Sequence, residues 1–201
     1  IRSIVGEVPS KRVIERVALA LDAFEKGRYA EARRIILPVS RECEGVEFIH
    51  EIAGLSLYRT GSWRDAAEHL EAARGLSAGS TLNHPMLADC YRALKRYDKV
   101  DELWKELKDA SPDAAIVAEG RIVAAGALAD KGDLQAAVRI MEQARKDPSK
   151  VREHHLREWY VLADLYDRSG DVIKAREWFT KIIRQDKGFA DVDSRLAELG
   201  A

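Results

Sequence analysis

Apolar residues recur along this chain at helical spacing, and the helical runs are broken at near-regular intervals by a short polar turn. Ile14, Val17, Leu21 and Phe24 fall at i, i+3, i+7 and i+10, one stripe of a helix. KGRYAEA follows at residues 26–32, and the same phrase returns as TGSWRDA at 60–66, LKRYDKV at 94–100, KGDLQAA at 131–137 and SGDVIKA at 169–175. The second residue of each copy is Gly27, Gly61, Lys95, Gly132 or Gly170, so the steps are 34, 34, 37 and 38 residues. That period belongs to a repeated helix-turn-helix unit. The pattern predicts first helices near 11–26, 45–60, 82–94, 112–130 and 151–169. Their partners are expected near 29–42, 63–75, 97–109, 134–146 and 172–185. Ser10 and Ser111-Pro112-Asp113 supply helix-start signals. After Gly188, the apolar residues Phe189, Val192, Leu196 and Leu199 predict a last amphipathic helix that covers the open end.

Each turn glycine follows one helix and precedes another, where a left-handed residue lets the chain reverse. Lys95 departs from this: the left-handed region costs a non-glycine residue about 1 kcal/mol, so this turn is either strained or differently shaped. Two residues on stand Tyr29, Trp63, Tyr97, Leu134 and Val172, bulky enough to wedge the paired helices apart. Three further come Ala32, Ala66, Val100, Ala137 and Ala175, and seven before the turn Ala20, Gly54, Ala88, Ala125 and Ala163, all small enough for close helix packing. A large apolar position follows at Ile36, Leu70, Trp104, Met141 and Phe179, with prolines between repeats at Pro112 and Pro148.

This combination resembles the tetratricopeptide repeat (TPR) signature, from about Val13 to Asp186. Residues 53–77 and 122–138 are more narrowly similar to uncharacterised actinobacterial tetratricopeptide proteins. The resemblance implies an all-α, right-handed helical-repeat solenoid of five helix-turn-helix repeats plus a C-terminal capping helix. It divides the chain into an N-terminal segment, 1–10, a solenoid, 11–187, and the cap, 188–201.

Composition removes several function classes. The chain is 46% hydrophobic and 33% charged, ordinary for a protein with a continuous core, and its net charge of −1 gives no general attraction to nucleic acid or anionic lipid. No apolar run is long enough to span a bilayer. Cys43 and Cys90 form neither a C-x-x-C pair nor a disulfide framework, which fits a reducing cytoplasm. Both are expected to be inert: Cys90 as small core packing, Cys43 because Glu42 and Glu44 flank it. His50 and His84 take equivalent places in successive repeats and are read as packing between first helices. His154 and His155, with Glu153 and Glu158, open the fifth repeat. His155 and Glu158 share a face, but one such pair is far short of the ligand set of a metal site, and a solvated helix start is the simpler reading. No nucleotide-binding motif occurs. No cofactor, metal or catalytic constellation is expected, and the chain is read as a non-enzyme.

The tetratricopeptide resemblance implies a concave groove lined by the first helices. The groove positions are Ile14, Val17, Leu21 and Phe24 in the first repeat, and Phe48, Glu51, Leu55 and Tyr58 in the second. Leu82, Pro85, Asp89 and Arg92 follow in the third, Glu119, Ile122, Gly126 and Ala129 in the fourth, and Arg157, Tyr160, Asp164 and Asp167 in the fifth. The groove thus passes from apolar to charged. Members that grip a peptide's C-terminal carboxylate use Lys and Asn where this chain has Val17 and Leu21, which argues against that mode. The expectation is a cytoplasmic scaffold or adaptor binding a protein or peptide, without nucleic acid or membrane. The alternatives are a self-associating module, its groove filled by a second copy or in cis by the leading segment with Ile1, Ile4, Val5 and Val8, and more remotely a metal-dependent enzyme. The start at Ile1 instead of Met suggests a fragment or processed product.

Overall fold

A computed structural model describes residues 7–110, 112–143 and 148–200, the side chains of 7–10 excepted. Among them, eleven helices and no strand are found. The first helices of the repeats are α1 (Glu7–Glu25), α3 (Glu47–Arg59), α5 (His84–Ala93), α7 (Ala114–Asp130) and α9 (Glu153–Arg168). Their partners are α2 (Tyr29–Glu42), α4 (Trp63–Leu76), α6 (Tyr97–Ala110), α8 (Leu134–Glu142) and α10 (Val172–Gln185), and α11 (Val192–Glu198) closes the series. The chain divides into two compact units, Ile1–Lys99 and Val100–Ala201.

All five turns share one hydrogen-bonding scheme. The left-handed residues are Gly27, Gly61, Lys95, Gly132 and Gly170, with φ of 72, 74, 59, 87 and 83°. Each donates its N–H to the carbonyl three residues back, as Gly27 does to Phe24 at 2.9 Å. The next residue donates to the carbonyl five back, as Arg28 does to Ala23 and Arg96 to Tyr91, both at 2.8 Å. These paired bonds satisfy carbonyls that a helix end would otherwise leave open. Lys95 therefore keeps the common turn shape and carries the strain.

The repeat's small and large positions form the core. Ala20, Ala32, Ala66, Val100, Ala125, Ala137, Ala163 and Ala175 are fully buried, as are Ile36, Met141 and Phe179. In the first unit, Val13, Val17, Ala20, Ile36, Val39, Cys43, Ile49, Ile52 and Ala53 form one apolar cluster. In the second, Ala125, Met141, Trp159, Leu162, Trp178, Phe179, Ile182 and Val192 belong to another, against which Phe189, Leu196 and Leu199 pack. The C-terminal segment thus covers the fifth repeat with the apolar residues that the periodicity singled out, although the helix itself is shorter than expected: Phe189 precedes it and Leu199 follows its last turn.

Helix starts differ from the expected ones. The first helix begins at Glu7, so Ser10 lies inside it. At α7, Asp113 is the cap, its carboxylate accepting the N–H of Ala115 at 2.8 Å, and Pro112 precedes the cap instead of occupying the first turn. An ionised side chain is a stronger acceptor for free helical N–H groups than any device a proline offers. The third repeat's first helix opens at His84, which leaves Leu82 in the preceding turn. α8 ends at Glu142, and the expected extension toward 146 runs outside the described residues.

Candidate functional site

The first helices carry the residues expected to meet a partner. In the first unit, Ile14, Phe48 and Leu82 each stand thirteen positions before their turn residue and are 44, 46 and 55% exposed. The same large apolar position is thus presented by three successive repeats. Leu21, Phe24, Leu55 and Tyr58 are half-buried; Phe24 meets the Tyr29 ring edge-on at 5.1 Å, and Tyr58 meets Trp63 at 5.5 Å. Val17 and Pro85 are buried, so these two are core and leave the set of side chains a ligand can touch.

The polar members of the set bond to the next repeat. Asn83 donates to Glu51 at 3.0 Å. Tyr58 donates to Asp89 at 2.8 Å, and Arg92 holds the other oxygen of Asp89 at 2.9 Å. Burial and the adjacent Asp89 carboxylate push the Tyr58 phenol far above its usual range, so it remains a donor. In the second unit the register position of Ile14, Phe48 and Leu82 holds Glu119 and Arg157, which form an ion pair at 2.7 Å. Tyr160 donates to Asp191 at 2.6 Å, and Arg195 of α11 bonds both Asp164 and Asp167 at 2.9 Å. Gly126 and Ile122 are half-buried and Ala129 is buried. Of the charged residues expected to bind a partner in the fifth repeat, Asp164 and Asp167 are thus engaged by the chain's own last helix and Arg157 by Glu119 of α7.

Asn83, Asp191 and Arg195 were not singled out by sequence reasoning, yet a signal for them exists. Complementary polar residues lie about one repeat apart: 51 with 83, 58 with 89, 160 with 191 and 164 with 195.

The histidines fall into two settings. His50 is buried, but its partner is His69 of α4, not a neighbouring first helix. The two Nδ1 atoms are 3.0 Å apart, and His50 Nε2 lies 2.9 Å from the Glu44 carbonyl. A carbonyl only accepts, so Nε2 carries the hydrogen. In neutral His50, Nδ1 then accepts from the Nδ1–H of His69. His84 is buried at the start of α5. At the fifth repeat, His155 Nδ1 accepts the N–H of Arg152 at 3.0 Å, which closes the helix start. Glu153 is exposed and His154 and His155 are half-buried, but Glu158 does not fit a solvated helix start: it is buried and bonded to Arg121 of α7, and burial raises its carboxyl above the usual range against the pull of that guanidinium. Among the described residues no group of three or more metal-ligating side chains converges. Both thiols are buried, and burial raises both, Cys90 to about 12.

Helix pairs, left-handed turns and small residues at the pair contacts decide the architecture. The fold is that of tetratricopeptide repeats. Residues 122–188 match the family model described as tetratricopeptide repeat. A thermophilic tetratricopeptide protein of Thermus thermophilus is similar across 93% of this chain and 98% of its own, with a TM-score of 0.68 and 18% identity. The Cut9–Hcn1 hetero-tetramer of the APC/C gives 0.71 at 16% identity, over 98% of this chain and 38% of that one. PilF of Pseudomonas aeruginosa gives 0.65 at 14%, over 96% and 86%. No curated protein matches the chain in sequence. Tetratricopeptide repeats are commonly protein-interaction modules and generally non-catalytic. No helix among the described residues is long and apolar enough to cross a membrane.

Proposed function

We propose that this tetratricopeptide protein is a non-catalytic adaptor that holds a segment of a partner protein on the first-helix face of residues 1–99. The observation that carries the reading is the column Ile14, Phe48 and Leu82. Exposed apolar residues scattered singly are ordinary, but three at one repeat-equivalent position are a recurrence that an interaction site would account for. Glu51, Asp89 and Arg92, bonded within the chain, would hold the first helices that present the column. The expected cover by Ile1, Ile4, Val5 and Val8 lies outside the residues whose side chains are described. A cytoplasmic setting is supported by two buried free thiols, and a bacterial one by the actinobacterial likeness of residues 53–77 and 122–138.

The test is a photoreactive amino acid placed at position 48 in the protein in its own cells, with position 64, on a second helix, as control. One partner should crosslink at 48 and not at 64. A chain that also carries Ile14→Ser and Leu82→Ser should lose that adduct with its helical content unchanged. An adduct equally strong at both positions, or indifferent to the serines, would remove the column from the binding face.

A further inference from the structure

The outward face of α10, in the fifth repeat, carries a second apolar and charged surface unrelated to the column. Ile173, Arg176, Glu177, Thr180 and Arg184 fall at i, i+3, i+4, i+7 and i+11, one stripe of the helix. Ile173 is 74% exposed, the highest value among the exposed large apolar residues, and its neighbour Val172 is 40% exposed. The third residue after the turn is Ala30, Arg64, Asp98 or Gln135 in the other repeats, so a large apolar side chain here is peculiar to the fifth.

In two other repeats a hydrogen bond spans the equivalent face. In the second repeat Glu71, ten residues after the turn, accepts the Tyr91 hydroxyl at 2.8 Å. In the fourth, Glu142 at the same place accepts that of Tyr166 at 2.6 Å. In the fifth repeat this place is Thr180, and Leu196 of α11 stands where the tyrosine would. The fifth repeat thus lacks that bond, and its stripe carries a mixed pattern: an apolar residue, a cation, an anion and a small hydroxyl in sequence.

We infer that this stripe is a self-complementary seat for the same helix of a second copy, the two α10 helices antiparallel about an axis between Arg176 and Glu177. With 176 opposite 177, residue 173 lies opposite 180 and residue 172 opposite 181. Each Arg176 then meets Glu177 of the second copy, so two reciprocal ion pairs flank the two-fold axis. Each Ile173 packs on the Thr180 methyl. Each Val172 lies along the aliphatic stem of Lys181, whose ammonium is drawn onto the Trp159 and Trp178 rings at 4.1 and 4.4 Å and so does not crowd the seat. A parallel two-fold pairing would set Arg176 against Arg176, so charge selects the antiparallel register. Neither Arg176 nor Glu177 has an ion-pair partner among the described residues, which leaves both available for this pairing. A two-fold contact repeats every gain and every loss, which is how so short a stripe can associate two chains.

Sedimentation equilibrium or light scattering across the micromolar range up to about 1 mM reads the result. The chain should show a monomer–dimer equilibrium. Ile173→Glu should weaken it by about 100-fold, because the symmetry applies the change twice. Arg176→Glu and Glu177→Arg should each weaken it about 10-fold, and the two together in one chain should restore it, since the ion pair is only reversed. These residues are exposed, and far-UV circular dichroism should show every variant folded. A chain that is monomeric throughout overturns the inference. So does a dimer indifferent to Ile173→Glu, a charge swap that fails to restore association, or a dimer lost on Phe48→Ser instead.

Discussion

Gly54 stands at the small position of the second repeat, on α3 against α4, and the consequence of adding one methyl group there can be worked out. A Cβ at Gly54 would lie 2.7 Å from Leu70 Cγ, 2.9 Å from Leu70 Cδ2 and 3.2 Å from the Leu70 backbone nitrogen. Leu70 is 1% exposed, so its side chain has no free volume to move into, and the backbone nitrogen belongs to a helix. Overpacking of this kind costs about 1–3 kcal/mol. Against it stands the helix propensity of alanine over glycine, about 1 kcal/mol in a helix interior. Gly54→Ala should therefore be between neutral and about 2 kcal/mol less stable. Gly75→Ala isolates the steric part, because Gly75 lies in α4 of the same unit with nothing within 4 Å of an added Cβ. There propensity acts alone, and a gain of up to about 1 kcal/mol is expected. Urea denaturation followed at the helical band measures both. The gap between the variants should be about 1–3 kcal/mol, with m unchanged. If Gly54→Ala is as stabilising as Gly75→Ala, the close approach of α3 and α4 is wrong, and with it the assignment of the small positions.

Three further outcomes are expected. Lys95→Gly relieves a left-handed residue and should be neutral to about 1 kcal/mol stabilising; a clear loss of thermal stability would show that the lysine is not strained. Arg121→Ala leaves the buried Glu158 without its partner and should cost about 3–5 kcal/mol, whereas Arg121→Leu with Glu158→Leu should recover most of the loss; equal losses in the two variants would mean that the pair is not isolated from water. Burial, and then His50, hold His69 below the ordinary histidine range, so as pH falls through about 6.5 the unfolded chain takes a proton that the folded one resists. Stability should therefore decline on acidification below that point, and His69→Gln should flatten the decline; an unchanged slope would place the acid sensitivity elsewhere.

The parts of the fold that sequence reveals are those imposed by local sterics. A left-handed turn requires glycine or a strained substitute, and two helices at close distance require a small residue in each. The five turns and the buried alanines were legible for that reason, and so was the left-handed Lys95. Helix starts were less so, since several polar residues compete for the same free N–H groups: the signal Ser111-Pro112-Asp113 was read as a unit, and Asp113 is its cap. Glu158 was misread through attention to its histidine neighbours. Its register position offers no steady guide, being exposed at Glu15, half-buried at Asn83 and buried at Ile49 and Gly120. Val17 was likewise placed by analogy of register and not by its own burial. The polar residues assigned to the groove were named without their bonding partners, because each partner lies about one repeat away and no single repeat contains the pair.

That ladder of bonds bears on where the proposed partner would meet least competition. In the fifth repeat a ligand on Asp164 or Asp167 must first take them from Arg195, whose guanidinium bridges both carboxylates in a partly buried setting. Charge-assisted bonds to a forked donor are the stronger kind, and a ligand that breaks them must supply equivalent ones merely to recover the loss. Glu119 and Arg157 impose the same condition on the fourth and fifth repeats. The column of Ile14, Phe48 and Leu82 imposes none: its side chains meet water, and covering them releases that surface at roughly 25 cal/mol per Å² with no bond to replace. The proposed function therefore rests on apolar anchors directed at residues 1–99, while the charged positions of the later repeats bond successive first helices and the last helix to one another.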